Sequence, residues 1–175
     1  MLTVLQLPNL SPGVVSGDFL LPARDKMEAD DDLVNTMASI EASGTAGSKV
    51  TNMGKKRKSE LKDIISDGLA NGDSIQQIAK DLKNNVSTKR DDRDWTRVAR
   101  TEVTNAKGIG SLDLIIAEHG EKAKVYRETN NCCDVCAKLF GRTKKKIWIA
   151  GFVPEKIRGA VHVNCRCSSF VLANE

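Results

Sequence analysis

Residues 91–120, DDRDWTRVARTEVTNAKGIGSLDLIIAEHG, are the stretch from which the rest of the fold is read. Trp95, Val98, Ala99, Val103 and Ala106 recur at helical spacing and mark one buried face. Asp91 or Asp92 opens the segment, where a carboxylate favours the positive end of a helix. His119-Gly120 closes it, and Gly108-Ile109-Gly110 is a place for a bend. This predicts one long helix. Upstream, Leu61, Ile64, Ile65 and Leu69 predict a helix beginning near Lys58 and stopping at Gly72. Ser74-Ile75-Gln76-Gln77 has the form of a capping box, in which the serine satisfies the Gln77 amide and the glutamine returns to the amide of the cap. Ile75, Ile78, Ala79 and Leu82 then mark a third helix. The short Asn71-Gly72-Asp73 connection makes the two shorter helices an αα-hairpin. Downstream, Ala123–Arg127, Lys146–Ala150 and Phe170–Leu172 read as short strands.

The first 56 residues read differently. Pro8, Pro12 and Pro22 interrupt them, and the acidic run Glu28–Asp32 precedes a short helix carrying Leu33, Val34, Met37 and Ile40. Ala42-Ser43-Gly44-Thr45-Ala46-Gly47-Ser48 has the composition of a flexible linker. The expected organisation is an extended arm and linker over 1–56, a helical region over 57–120, and a small α+β metal-binding module over 121–175. The fold class is therefore α+β. A helical hairpin and a long helix pack on a small, zinc-stapled, β-containing C-terminal module preceded by an extended arm.

Aromatics make up only 4% of the chain, which argues against an aromatic platform for stacking bases. No apolar run approaches the ~20 residues of a membrane span, and the N-terminus lacks the features of a secretion signal. A soluble chain made in a reducing compartment is expected, with no membrane partner and no small-molecule substrate. The net charge of +4 is unevenly placed: residues 1–50 carry a net −4 and residues 121–160 a net +6. Arg142, Lys144, Lys145 and Lys146, with Trp148 beside them, form the candidate contact to nucleic acid. A solvated loop, or a contact to an acidic protein surface, is the simpler reading of the same charges.

All five cysteines fall in the last quarter of the chain. Cys133 and Cys136 form a C-x2-C pair, and His162, Cys165 and Cys167 follow as H-x2-C-x-C. In a reducing compartment such clusters are metal ligands more often than disulfides. Cys133, Cys136, His162, Cys165 and Cys167 are the candidate ligands of a structural Zn2+, five donors for four positions. Cys165 and Cys167 are expected to diverge along an extended segment, leaving one of them as the ligand unless the chain turns. On the long helix, Arg100 and Glu102 point in different directions, which argues against joint catalysis. Glu102 lies near the apolar stripe and needs a partner, for which Arg166 or the amides of the C-x2-C turn are the candidates. Arg100, Glu102 and Arg166 are thus expected to dock the metal module onto the helix.

The order of these parts resembles the phage Mu F-like minor head protein family. The resemblance rests on the hairpin near Gly72 and Ser74, the long helix with Ala99-Arg100-Thr101-Glu102, the C-x2-C pair and the terminal His162-Val163-Asn164-Cys165-Arg166-Cys167. It covers roughly residues 57–170. The chain departs from that pattern at Cys132, an added cysteine, and at Gly159-Ala160-Val161, which lacks a proline before His162. The resemblance implies a structural, non-enzymatic minor capsid protein of a tailed bacteriophage. It would act in head morphogenesis, with a part in genome packaging or delivery. Its implied partners are the portal protein and other head proteins, with packaged DNA as a further candidate. Its implied place is the virion head near the portal vertex, and the host cytoplasm during assembly. Two alternatives use the same residues: a zinc-stapled HNH-type nuclease with His162 as general base and Asn164 nearby, and a zinc-ribbon DNA-binding module.

Overall fold

A computed structural model describes residues 31–47, 50, 54–86, 92–129, 132–142, 145–167 and 169–173. Helices α1 (Asp31–Thr45), α2 (Lys55–Ala70), α3 (Ile75–Asn85) and α4 (Asp92–His119) come first. Strand β1 (Lys124–Arg127), helix α5 (Asp134–Phe140) and strand β2 (Trp148–Ile149) follow. A 3-10 turn over Ala150–Phe152, helix α6 (Glu155–Arg158) and strand β3 (Phe170–Leu172) complete the described elements. The strands form one antiparallel sheet in the order β2-β1-β3. Val125 stands opposite both Trp148 and Leu172, and Arg127 opposite Phe170. The chain is thus mostly helical, with a small three-stranded sheet.

Helix α4 passes through two cores. Its first half places Trp95, Ala99, Val103 and Ala106 among Leu61, Ile65 and Leu69 of α2 and Ile78, Ala79 and Leu82 of α3. Its second half places Leu112 and Ile115 among Val125, Phe140, Ile157 and Phe170. The long helix therefore belongs equally to the helical part and to the small module. Burying the larger aliphatic side chains in either core contributes about 1.5–3 kcal/mol each.

The hairpin of α2 and α3 forms at its expected place. Ser74 caps α3, its Oγ accepting from the Gln77 amide at 3.2 Å. The reciprocal half of the capping box does not form, because Gln77 donates instead to the Asp81 carboxylate at 3.0 Å. An i, i+4 charge-assisted contact competes for the same amide group.

The segment 42–47 is not a linker. Ala42 and Thr45 belong to α1, and Ala38, Ala42 and Ala46 are buried at successive i+4 positions. Their small side chains form a stripe against which α2 and α4 pack. Composition hid this, because alanine and glycine suit a close helix contact as well as a linker. Of the expected apolar face of α1, Val34 is buried while Leu33 and Ile40 are exposed. The expectation for residues 1–30 lies outside the described residues.

Gly108 and Gly110 do not break α4, which runs through them as one continuous helix. Each admits a neighbour that a Cβ would strike. At Gly110 the Cβ would lie 2.8 Å from the Ala38 amide nitrogen of α1. At Gly108 it would collide with the Arg158 carbonyl oxygen and the Arg127 guanidinium.

Two outcomes follow for stability. Gly110→Ala improves helix propensity by about 1 kcal/mol yet drives a methyl into the α1 backbone. It is expected to lower the unfolding free energy by about 1–3 kcal/mol, the usual cost of overpacking. Gly44→Ala meets nothing within 4 Å and is expected to be neutral or stabilising by a few tenths of a kcal/mol. Urea denaturation of both variants checks the pair. The second outcome concerns Glu41 on α1. Its carboxyl is held above its ordinary 4.5 by burial and then by the Asp113 carboxylate. A carboxyl raised in the folded state binds more protons there than in the unfolded chain. Its contribution is therefore full below pH 4.5 and is lost as pH rises through the folded value. Glu41→Gln is expected to stabilise the protein at pH 7, with the gain fading as pH falls toward 4.5, read from melting temperature against pH.

Candidate metal centre and its docking to the long helix

The C-x2-C pair is built on a helix start. Cys133 is the N-cap of α5 and Cys136 lies in its first turn. Residues three apart on a helix share a face, so ordinary helical spacing brings the two sulfurs together. The second half of the cluster comes from the irregular segment after α6. There Asn164 adopts a left-handed conformation with φ of 62°, which asparagine tolerates better than most residues. That turn brings His162 and Cys165 back toward α5.

Two triads of donor atoms result, each with its atoms within 4.8 Å of one another: Cys133, Cys136 and His162, and Cys136, Cys165 and Cys167. They share Cys136. His162 Nε2 lies 3.2 Å from the sulfurs of both Cys133 and Cys136, and the Cys136 and Cys165 sulfurs are 3.7 Å apart. All five cysteines are free thiols. Cys132 stands outside both triads. Cys165 and Cys167 do not diverge. Both are buried and both face Cys136, because residues two apart along an extended chain share a side.

The electrostatics suit a cation. His162 Nδ1 is 2.8 Å from the Val163 carbonyl oxygen, which can only accept. The proton of a neutral ring therefore sits on Nδ1, and Nε2 turns its lone pair to the thiols. The same contact, outweighing burial, which acts the other way, raises the ring's affinity for a second proton. Taken as bare thiols, the four cysteines separate into two classes. The Cys167 thiol donates to Cys165, and this contact foremost holds Cys165 down to about 4. Cys133 is lowered, first by the Cys136 amide at the start of α5. Burial pushes Cys136 up to about 12, and Cys167 is raised chiefly because its proton is held by Cys165. Cys136 belongs to both triads, so its thiol must release a proton for an ion to be held in either of them.

The segment carrying His162 and Cys165 is fastened to α4 by polar contacts on one face of the helix. Arg100 Nη1 donates to Asn164 Oδ1. The Asn164 amide donates to Thr101 Oγ1 at 2.8 Å, Thr104 Oγ1 donates to the Cys165 carbonyl at 3.0 Å, and the Ala160 amide donates to Asn105 Oδ1 at 3.1 Å. Further along α4, the Phe170 amide donates to Ser111 Oγ at 2.9 Å. Of the residues expected to dock the module, Arg100 contacts the cysteine-bearing segment, through Asn164. Arg166 does not supply the buried partner expected for Glu102, since it is exposed while Glu102 is 2% exposed. The polar side chains at 101, 104 and 105 do that docking, and their spacing on one helical face was the signal for it.

Arg127 is the other residue that sequence reading passed over. It is fully buried on β1, and its Nη1 donates to the carbonyls of Ile157 (2.9 Å), Arg158 (3.2 Å) and Gly159. Its guanidinium carbon lies 5.2 Å from the ring centres of both Phe140 and Phe170. Its place on the buried side of a strand was legible, because Val125 and Arg127 are two apart.

Each of the candidate nucleic-acid residues that the structure describes has an intramolecular neighbour. Arg142 pairs with Asp134 at 3.1 Å on the surface, Lys145 donates to Thr129 Oγ1 at 2.6 Å, and the Lys146 ammonium sits 4.5 Å from the centre of the Trp148 ring. Lys144 lies outside the described residues.

Asn164 joins the backbone turn to the α4 contacts, so its replacements separate the two roles. Asn164→Ala loses both the side-chain contact and the easy left-handed backbone, and is expected to cost about 1–3 kcal/mol. Asn164→Gly loses only the first and is expected to cost less, as measured by denaturation of the two variants side by side. No protein-family model, curated protein or solved structure matches this chain.

Proposed function

We propose that the chain is a structural minor head protein of a tailed bacteriophage, associated with the portal, acting in head assembly and in genome packaging or delivery. In this reading the C-terminal module is pinned by a structural zinc ion and catalyses nothing. One observation carries it: the two strings on which the resemblance rests meet in space. Arg100 and Thr101 of the first hydrogen-bond to Asn164 of the second, and Thr104 follows to Cys165. Two motifs that lie over sixty residues apart are parts of one joint, as expected of a module whose motif residues hold a fold together.

Zinc suits the donor set. Sulfur and imidazole are its usual ligands in closed structural sites. Tetrahedral zinc with bonds near 2.3 Å to sulfur separates neighbouring sulfurs by about 3.8 Å, beside 3.7 Å for Cys136 and Cys165. Cys133, Cys136 and His162 would hold the ion, and Cys165 would supply the fourth position, with the Cys167 thiol hydrogen-bonded behind it. When bound, the ion supplies a cross-link between α5 and the segment after α6. The nuclease alternative needs His162 as a general base and Asn164 near a catalytic ion. His162 Nε2 instead lies between two sulfurs, and the Asn164 side chain accepts from Arg100. Both placements favour the structural reading. The segment 121–160 keeps its excess of positive charge, which suits an acidic portal surface as well as DNA.

Protein purified without chelator is expected to carry close to one zinc per chain by elemental analysis. Cys136→Ser is expected to abolish this and to lower the melting temperature, as is a strong chelator. Absence of zinc with no response to chelator would remove the metal from the proposal. The head role has its own test, co-expression with the portal protein of the same phage followed by co-purification. Failure to associate, or metal-dependent nicking of plasmid DNA by the purified chain, would overturn the structural assignment.

A further inference from the structure

We propose that Arg127 is the internal counter-charge of the metal–thiolate centre, a positioning residue that makes an anionic ion–cysteine cluster tolerable in the interior and thereby sets the affinity for the ion. The inference rests on the metal-binding reading above. Three thiolates and a neutral imidazole around a divalent cation leave one net negative charge. Cys133 is exposed, but Cys136 and Cys165 are buried, and burying that side of such a centre is costly unless a positive charge is buried with it. Arginine suits that position because its planar fork carries the charge and donates to several carbonyls at once.

The placement of Arg127 fits this role on every side. Its guanidinium is wedged between Phe140, the last residue of the helix that carries Cys136, and Phe170, three residues beyond Cys167. Its Nη1 gathers the carbonyls of Ile157, Arg158 and Gly159, immediately before the His162 turn. Its Nη2 reaches toward the Thr104 carbonyl at 3.5 Å, on the residue whose hydroxyl holds the Cys165 carbonyl. Gly108 leaves the space on α4 through which the guanidinium passes. One side chain thus touches the ends of each segment that supplies a ligand. Carbonyl oxygens and ring faces orient a guanidinium well, but they carry only partial negative charge. Cys136, Cys165 and Cys167 pack in the same core cluster as the two rings that flank the guanidinium, which places the buried side of the cysteine cluster beside this charge.

The test is a titration of the full-length chain with Co2+ and Zn2+ against a competing chelator, comparing the parent with Arg127→Gln and Arg127→Lys. Arg127→Gln keeps a donor to the carbonyls but removes the charge, while Arg127→Lys keeps the charge and loses the fork. The expected result is that Arg127→Gln binds about 10- to 100-fold more weakly, in the range for residues that support metal ligands from behind, and that Arg127→Lys recovers most of the loss. The Co2+–thiolate charge-transfer band should retain the parent's shape at saturation in both, since the ligands are unchanged. A purely structural pin predicts a different order. Lysine cannot span three carbonyls and two rings, so both variants would lose affinity alike, and that result overturns the proposal, as does parental affinity in Arg127→Gln. If Arg127→Gln fails to accumulate in zinc-supplemented medium while Arg127→Lys does, the charge is again what matters. Failure of both variants counts against it. A parent that binds neither ion removes the metal-binding reading itself, a result distinct from any difference among variants.

Discussion

The row of polar side chains on α4 that receives the backbone after α6 is the contact on which the rest of the structure depends. The segment from Gly159 to Cys167 is irregular, and its amides and carbonyls have no ladder of their own for much of its length. Buried backbone polar groups must find partners, and Thr101, Thr104 and Asn105 supply them. A helix is a poor donor of its own backbone groups, since these are engaged within it, so the partners must be side chains. That requirement explains why a helix with one apolar face buries threonines and an asparagine on another. It also explains why the docking residues are short: they bring the segment close enough for Gly108 to matter.

The consequence for the cysteine cluster is that its geometry is set from two directions. Helix α5 fixes Cys133 and Cys136 relative to each other through ordinary helical spacing. The α4 contacts fix His162 and Cys165 by holding the backbone on both sides of Asn164. Arg127 then lies between the two, touching the end of α5 and the start of the turn. The donor atoms of each triad are thus brought together by contacts that involve no metal.

Much of this was legible from residue patterns. The hairpin, the long helix and the three strands follow from periodicity, because each buries one face and has a clear start or stop. The donor residues also follow from spacing. What escaped has physical causes. Ala42, Ala46 and their neighbours have the composition of a linker, and only their register with Ala38 reveals a packed helix. Gln77 had two acceptors within reach, and composition could not decide between the cap and Asp81. Arg127 escaped because a charged residue at a strand's buried position is weighed as an exposed one unless its neighbours are known. Cys165 and Cys167 were expected to part, although a two-residue period keeps side chains on one side. Glu102 drew attention as the buried acid of its motif, while the contacts that hold the module fall to its uncharged neighbours and to Arg100.

The order of strands in the sheet has a bearing on how the chain is made. The central strand, β1, is the earliest of the three, and both its neighbours come later, at Trp148–Ile149 and Phe170–Leu172. On a ribosome, β1 emerges with both edges open and with Arg127 lacking the carbonyls and the Phe170 ring that later surround it. The helical core, by contrast, draws its members from α1 through the first half of α4 and can close while the remainder is still being synthesised. The two halves of α4 are thus engaged at different moments. The first is anchored early, and the second waits as an exposed template for a module that can assemble only after its last strand has appeared.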